Sequence, residues 1–158
     1  MAVWFYADKW VHHWSHGTLI SKDEWDGDSS GYVLRCGGEG NVNGNVHSSG
    51  GWHPATTRMT FPEGVWHHAV ATCDGKRMTV YVNGQVKAFS YVPGPIDGSN
   101  FPLRIGANAY DTNRHFVGWI DEVALWDRAF SAEEVLSLYA FSRGRQSYCE
   151  EIEKAAKK

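Results

Sequence analysis

The groups in this sequence that could hold a metal or move a proton are its histidines and carboxylates. Eight histidines occur, clustered as His12, His13 and His16 and as His67 and His68, with His47, His53 and His115 apart. A catalytic zinc takes three protein ligands beside a base, often on a HExxH helix, and that pattern is absent. His67 and His68 are consecutive on a strand-like run, so they point to opposite faces and do not chelate together. The histidines are read as packing groups, loop hydrogen-bonders or ligand contacts. Glycoside hydrolysis needs two carboxylates across the scissile bond. Asp121 and Glu122 are adjacent on a long strand-like run, and strict alternation sends them to opposite faces. No enzyme is expected.

Calcium is the better metal candidate, because it takes oxygen ligands from loops. Asp26-Gly27-Asp28-Ser29-Ser30-Gly31 has the opening of an EF-hand loop, but its twelfth position is Gly37 and no helices flank it. A true EF-hand is excluded, and the segment reads as a solvated turn in which Asp26 and Asp28 are the candidate ligands. Aromatic rings offer another chemistry: sugar C–H faces stack on them while polar neighbours take the hydroxyls. Trp14, Trp25 and Trp52 fall in polar contexts, and Tyr110 lies in the loop 108–114. The candidate ligand set is therefore Trp25, Trp52, His53, Tyr110, Asp111, Asn113 and Arg114. Trp4, Trp66, Trp119 and Trp126 lie on strand-like runs and are expected in the core.

These groups must be positioned by a chain that turns often. Residues 65–73, 77–82 and 85–91 read as an antiparallel meander. Arg77 to Val82 alternates, and Asn83-Gly84 is the hairpin signal of a type I′ turn. Further strands are expected over 2–7, 17–21, 32–36, 102–107 and 115–126, the last with a bulge near Gly118. Residues 37–54 read as loop-rich, hiding at most one irregular strand. Ser131-Ala132-Glu133-Glu134 is a capping box opening a helix, and residues 147–158 could form a second short amphipathic helix.

At 158 residues, with 42% hydrophobic and 14% aromatic side chains, the chain fits one domain with a sizeable core. The expected division is a sandwich over 1–141 and a C-terminal helical extension over 142–158. A net charge of −3, without a basic stripe, argues against a nucleic-acid partner. No apolar run approaches the length of a membrane span, and no signal peptide is visible. Three cysteines without a CxxC pair read as two buried thiols, Cys36 and Cys73, and one in the tail, Cys149, with one disulfide plus a leftover thiol as the alternative for a secreted protein.

The runs VWHHAVATCDGKRMTVYVNGQVKA, PLRIGA and FVGWIDEVALWDRAFSAEEVLSLY, in this order, resemble the laminin-G-like domains of the concanavalin A-like lectin/glucanase superfamily. The resemblance runs from about Gly17 to Tyr139. It implies an all-β jelly-roll sandwich of two antiparallel sheets with a short C-terminal helical segment. It also implies recognition of carbohydrate or a glycosylated surface, a structural calcium in many members, and a place outside the cell or on its surface. Asp121 matches the family position that often helps hold an ion on the outer side of the sandwich, and His68 matches a structural strand histidine. Hydrolytic relatives carry an E-x-D-x-E strand, which does not occur in this sequence. The family's usual first strands have no counterpart before Val3. The expected function is thus a non-catalytic binding module; the alternatives are an assembly domain that self-associates as a homo-oligomer through an uncovered sheet edge and a diverged glycoside hydrolase, against which the lack of paired carboxylates speaks.

Overall fold

A computed structural model of the protein describes residues 1–25 and 29–143. Ten strands precede one helix: β1 (Ala2–Ala7), β2 (Thr18–Glu24), β3 (Ser30–Gly37), β4 (Asn41–Ser48), β5 (Gly51–Thr56), β6 (Trp66–Cys73), β7 (Arg77–Val82), β8 (Gln85–Tyr91), β9 (Arg104–Ile105), β10 (Gly118–Ala124) and α1 (Ala132–Arg143). They form two five-stranded sheets, a first in the order β10-β1-β6-β7-β8 and a second in the order β5-β4-β3-β2-β9. Every strand pairing in both sheets is antiparallel. This is a jelly-roll sandwich.

The β7–β8 hairpin forms as its sequence dictates. Val82 pairs with Gln85, and Asn83 and Gly84 both take positive φ, 52° and 76°, as a type I′ turn requires. Alternation then decides what is buried. Val3, Phe5, Ile20, Leu34, Val42, Val46, Ala69, Met78 and Val80 meet between the sheets. Cys36 is buried and Cys73 half-buried on this core, and neither forms a disulfide.

A smaller apolar cluster lies on the other side of the first sheet, where Val135 and Leu138 of α1 pack on Ala2, Val70 and Tyr81. Ser131 caps this helix reciprocally. Its Oγ accepts the Glu134 N–H at 3.2 Å, and its own N–H donates to Glu134 Oε2 at 2.8 Å. Farther along α1, Ser142 Oγ accepts the Trp4 indole N–H at 3.0 Å, so Ser142 is part of the packed domain. The expected helix at 147–158 and Cys149 lie outside the described residues.

Three expectations are corrected. Residues 37–54 hold not one irregular strand but β4 and most of β5, paired in continuous register from Asn43↔Thr56 to Ser48↔Gly51. Polar Asn and Gly residues disguised a regular period-2 pattern there. Gly118 pairs directly with Ala7, and the bulge of β10 lies instead opposite the Ala2–Trp4 step of β1, where Glu122 has φ 47°. Trp66 and Trp119 are not core residues; they stand 45% and 67% exposed on the outer side of the first sheet.

Candidate functional site

The outer face of the second sheet is polar because β4 alternates. Val42 and Val46 point into the core, so Asn41, Asn43, Asn45 and His47 point away from it. Arg35 of β3 lies directly opposite Asn43 and donates from Nε to Asn43 Oδ1 at 3.1 Å. Its guanidinium carbon stands 4.9 Å from the centre of the Trp14 ring and 5.8 Å from that of Trp25, a cation–π contact on two sides. Arg35 is only 1% exposed, and burial pulls its pKa down to about 10, with Asp23 opposing that shift and Arg114 adding to it. Arg35 Nη1, Asn45 Oδ1 and Trp52 Nε1 are buried without a hydrogen-bond partner among the described residues. Such groups favour a polar ligand or water that can satisfy them.

Asp23 organises the flank of this face. Its carboxylate accepts the Trp25 indole N–H, the Ser21 hydroxyl and two contacts from Asn108 Nδ2, at 2.9 and 3.0 Å. Asn108 Oδ1 in turn accepts the N–H groups of Tyr110 and Asp111 at 3.1 and 2.9 Å, so the loop 108–114 is anchored to β2 through one buried carboxylate. His47 Nδ1 lies 2.7 Å from Asp97 Oδ2, tying the loop after β8 to the same face.

The candidate ligand residues divide. Trp25 and Trp52 converge, stacked with ring centres 4.2 Å apart and planes 9° from parallel. Each thereby covers one face of the other, and the His47 ring meets Trp52 edge-on at 5.2 Å, so the stack is a wall more than an open platform. His53 does not join them. It pairs with Val46, which turns its side chain to the opposite side of β5 from Trp52, and its Nε2 lies 3.1 Å from the Ser48 carbonyl. Tyr110 leans on Phe101, ring centres 6.0 Å apart. Asp111 accepts from Asn113 N–H at 3.0 Å and from Arg114 Nε at 3.2 Å. The Asn113 contact, with Arg114 assisting, holds the Asp111 carboxyl below its usual range.

The open part of the face lies beside Trp14, which is 60% exposed. A cavity of about 280 Å³ there is lined by Trp14, Gly37, Gly38, Asn41, Asn43 and Thr56. Gly37 permits it: a Cβ at that position would stand 2.4 Å from the Trp14 carbonyl oxygen, so any side chain would displace the Trp14 backbone. Arg35, Asn41, Asn43, Asn45 and Thr56 were not among the residues singled out from sequence, and His47 was read there only as one of the histidines. The alternation in NVNGNVH was the signal that could have found those of β4; Arg35 and Thr56 lie on the neighbouring strands β3 and β5.

The metal candidates fare differently. Asp26 and Asp28 lie outside the described residues. Asp121 stands on the outer side of the first sheet opposite Trp4, with Oδ1 accepting the Glu122 N–H at 2.8 Å. The bulge at Glu122 corrects the expectation from strict alternation: Asp121 and Glu122 line one cavity of about 660 Å³, together with Trp4, Trp66, Tyr139, Ser142 and Arg143. Among the described residues, no three or more His, Cys, Asp or Glu side chains come together as a metal cage, so Asp121 lacks the side-chain partners that a calcium site of that kind needs. No helix among the described residues is long and apolar enough to cross a membrane.

Solved structures share this fold. Domain 4 of AbnA, an extracellular arabinanase of Geobacillus stearothermophilus solved with arabinotriose, is 25% identical with a TM-score of 0.65, over 87% of this chain and 64% of that one. A putative carbohydrate binding protein of Bacteroides ovatus is 19% identical with a TM-score of 0.68, over 85% of this chain and 38% of that one. Domains LG4-5 of the mouse laminin alpha1 chain are 19% identical with a TM-score of 0.56, over 82% and 37%. The chain thus spans less than two thirds of each of these three structures. No curated protein sequence matches it significantly. The Laminin_G_3 family model matches residues 1–136, and the chain belongs to that family, within the concanavalin A-like lectin/glucanases superfamily.

Proposed function

We propose that the protein is a non-catalytic, extracellular carbohydrate-binding module whose sugar site is the outer face of the second sheet at Trp14. The observation that carries this reading is the cavity that the exposed Trp14 lines together with Asn41, Asn43 and Thr56, on a face where Arg35 Nη1 is buried without a partner among the described residues. An aromatic platform with converging amides and hydroxyls suits a sugar ring, which presents C–H on its face and hydroxyls at its edge. The arabinotriose bound to domain 4 of AbnA supports an oligosaccharide as the ligand class. Trp25 and Trp52 serve as the wall of this site, and the loop 108–114 as its rim.

The test is calorimetric titration with neutral oligosaccharides, arabinotriose included, with calcium and with chelator. Trp14→Ala is expected to weaken binding at least about tenfold, the loss of one stacked ring. Wild type that binds no member of the panel under either condition overturns the proposal. A binding or melting curve indifferent to chelator removes calcium at Asp121 from the reading, and release of reducing ends would make the chain a hydrolase. A second reading, assembly through a sheet edge, is favoured by β10, which ends the first sheet with Trp119 exposed. It requires a stable oligomer by light scattering.

A further inference from the structure

Among the described residues, α1 leaves part of the first sheet uncovered, and what remains bare is aromatic. Three cross-strand rows can be followed outward along β10, β1 and β6. Ala2 and Val70 lie under Val135 and Leu138. Trp4 and His68 lie under Tyr139, whose ring centre is 5.8 Å from each of theirs. The third row is Trp119, Tyr6 and Trp66, with Tyr6 opposite both tryptophans. Phe5 and Ala7 flank Tyr6 and are fully buried, which sends Tyr6 and its two partners outward.

We propose that this row is a second carbohydrate-binding surface, separate from the face at Trp14, and that it takes a neutral polysaccharide chain. Neighbouring strands are about 4.8 Å apart, so the row makes a continuous aromatic strip about 10 Å long at the backbone. Trp119 and Trp66 are 67% and 45% exposed, and the Tyr6 and Trp66 rings are 5.8 Å apart. So much exposed aromatic surface in one line marks a place of contact. The strip borders the cavity holding Asp121 and Glu122, whose carboxylates can accept sugar hydroxyls.

Charge selects among the partners. A twofold axis sets a residue against its own counterpart only at the axis itself, so a second copy on this face is decided by the light-scattering arm of the experiment. An anionic bilayer would meet the carboxylates of Asp121 and Glu122, with Arg143 as the one cation among the described residues of the cavity lining. Uronates and sulfated glycans are disfavoured likewise. A neutral glycan carries no such repulsion and offers both the C–H faces and the hydroxyls that the strip and its flank can use.

The experiment is a pull-down and affinity electrophoresis of the full chain with arabinan, xylan, β-glucan and cellulose, in calcium-free buffer. It compares wild type, Trp14→Ala and the double variant Trp66→Ala/Trp119→Ala. Both strip tryptophans are exposed, so the double variant is expected to keep the wild-type circular dichroism spectrum. Should it not, Trp119→Ser alone replaces it. The expected result is at least tenfold loss of binding to one or more polysaccharides in the strip variant, with that binding retained in Trp14→Ala. Binding lost only in Trp14→Ala supports the first site and overturns this one. Wild type that binds none of the four also overturns it. So does a wild-type dimer by light scattering that the strip variant dissolves, or Trp119-dependent capture of phosphatidylcholine vesicles, each of which assigns the strip to another occupant.

Discussion

His68 is fully buried beside the rings of Trp4 and Tyr139, with centres 5.1 and 5.8 Å away. Burial alone pulls its pKa from 6.5 to about 3, because an imidazolium there would forfeit its hydration. The folded state therefore refuses a proton that the unfolded chain accepts below about pH 6.5. Above that pH neither state binds it and the contribution to stability is complete. As pH falls from about 6.5 towards 3, stability declines by about 1.4 kcal/mol per unit from this residue. Urea unfolding of wild type and His68→Gln across that window checks this: the variant should show a shallower slope, whatever its stability at neutral pH. Arg35 presents the opposite charge problem. It stays ionised at neutral pH although buried, and Trp14, Trp25 and Asn43 replace part of its water.

At the scale of elements, α1 decides how much of the first sheet is available. Its start depends on the reciprocal Ser131–Glu134 cap, with Arg128 holding Glu134 at 2.7 Å. Ser131→Ala is expected to lower stability by about 1 kcal/mol, read as a shift in denaturant midpoint without a change in slope. This cap and the β7–β8 hairpin were legible in the sequence because each depends on a few adjacent residues with restricted conformations. The β4–β5 hairpin was not. Its turn at Ser49-Gly50 uses positive φ at both positions without the usual Asn-Gly signal, and its strands are rich in residues that favour loops. The bulge at Glu122 was equally hidden, since one extra residue in β10 is visible only against its partner β1. That single residue reverses the inference that Asp121 and Glu122 face apart. The Trp25–Trp52 stack leaves no local trace in the sequence, because it joins the end of β2 to β5, two strands that are not neighbours in the sheet.

Over the described residues the molecule is a sandwich held by a core between its sheets, with a helix over part of one outer side. Cys36 reports on that core directly. It is fully buried, and burial raises its thiol pKa well above the ordinary value, so the native protein presents no reactive thiolate at this position. In a Cys73→Ser/Cys149→Ser background, labelling of Cys36 by a thiol reagent should proceed only at the rate of global opening and accelerate in parallel with denaturant unfolding. Labelling much faster than unfolding would show that the sheets separate locally. Cys73, half-exposed at the end of β6, belongs to a different regime and is removed for that reason.

The sheets lie back to back around that core, so the Trp14 face and the Trp119–Tyr6–Trp66 strip look in opposite directions. A rigid body with sites so disposed cannot lay both on one straight chain. It would join two. With both surfaces active, the module would act as a crosslink whose effect depends on stoichiometry. Dilute polysaccharide would be bridged into a network near equivalence, and excess protein would cap each strand singly and dissolve the network again.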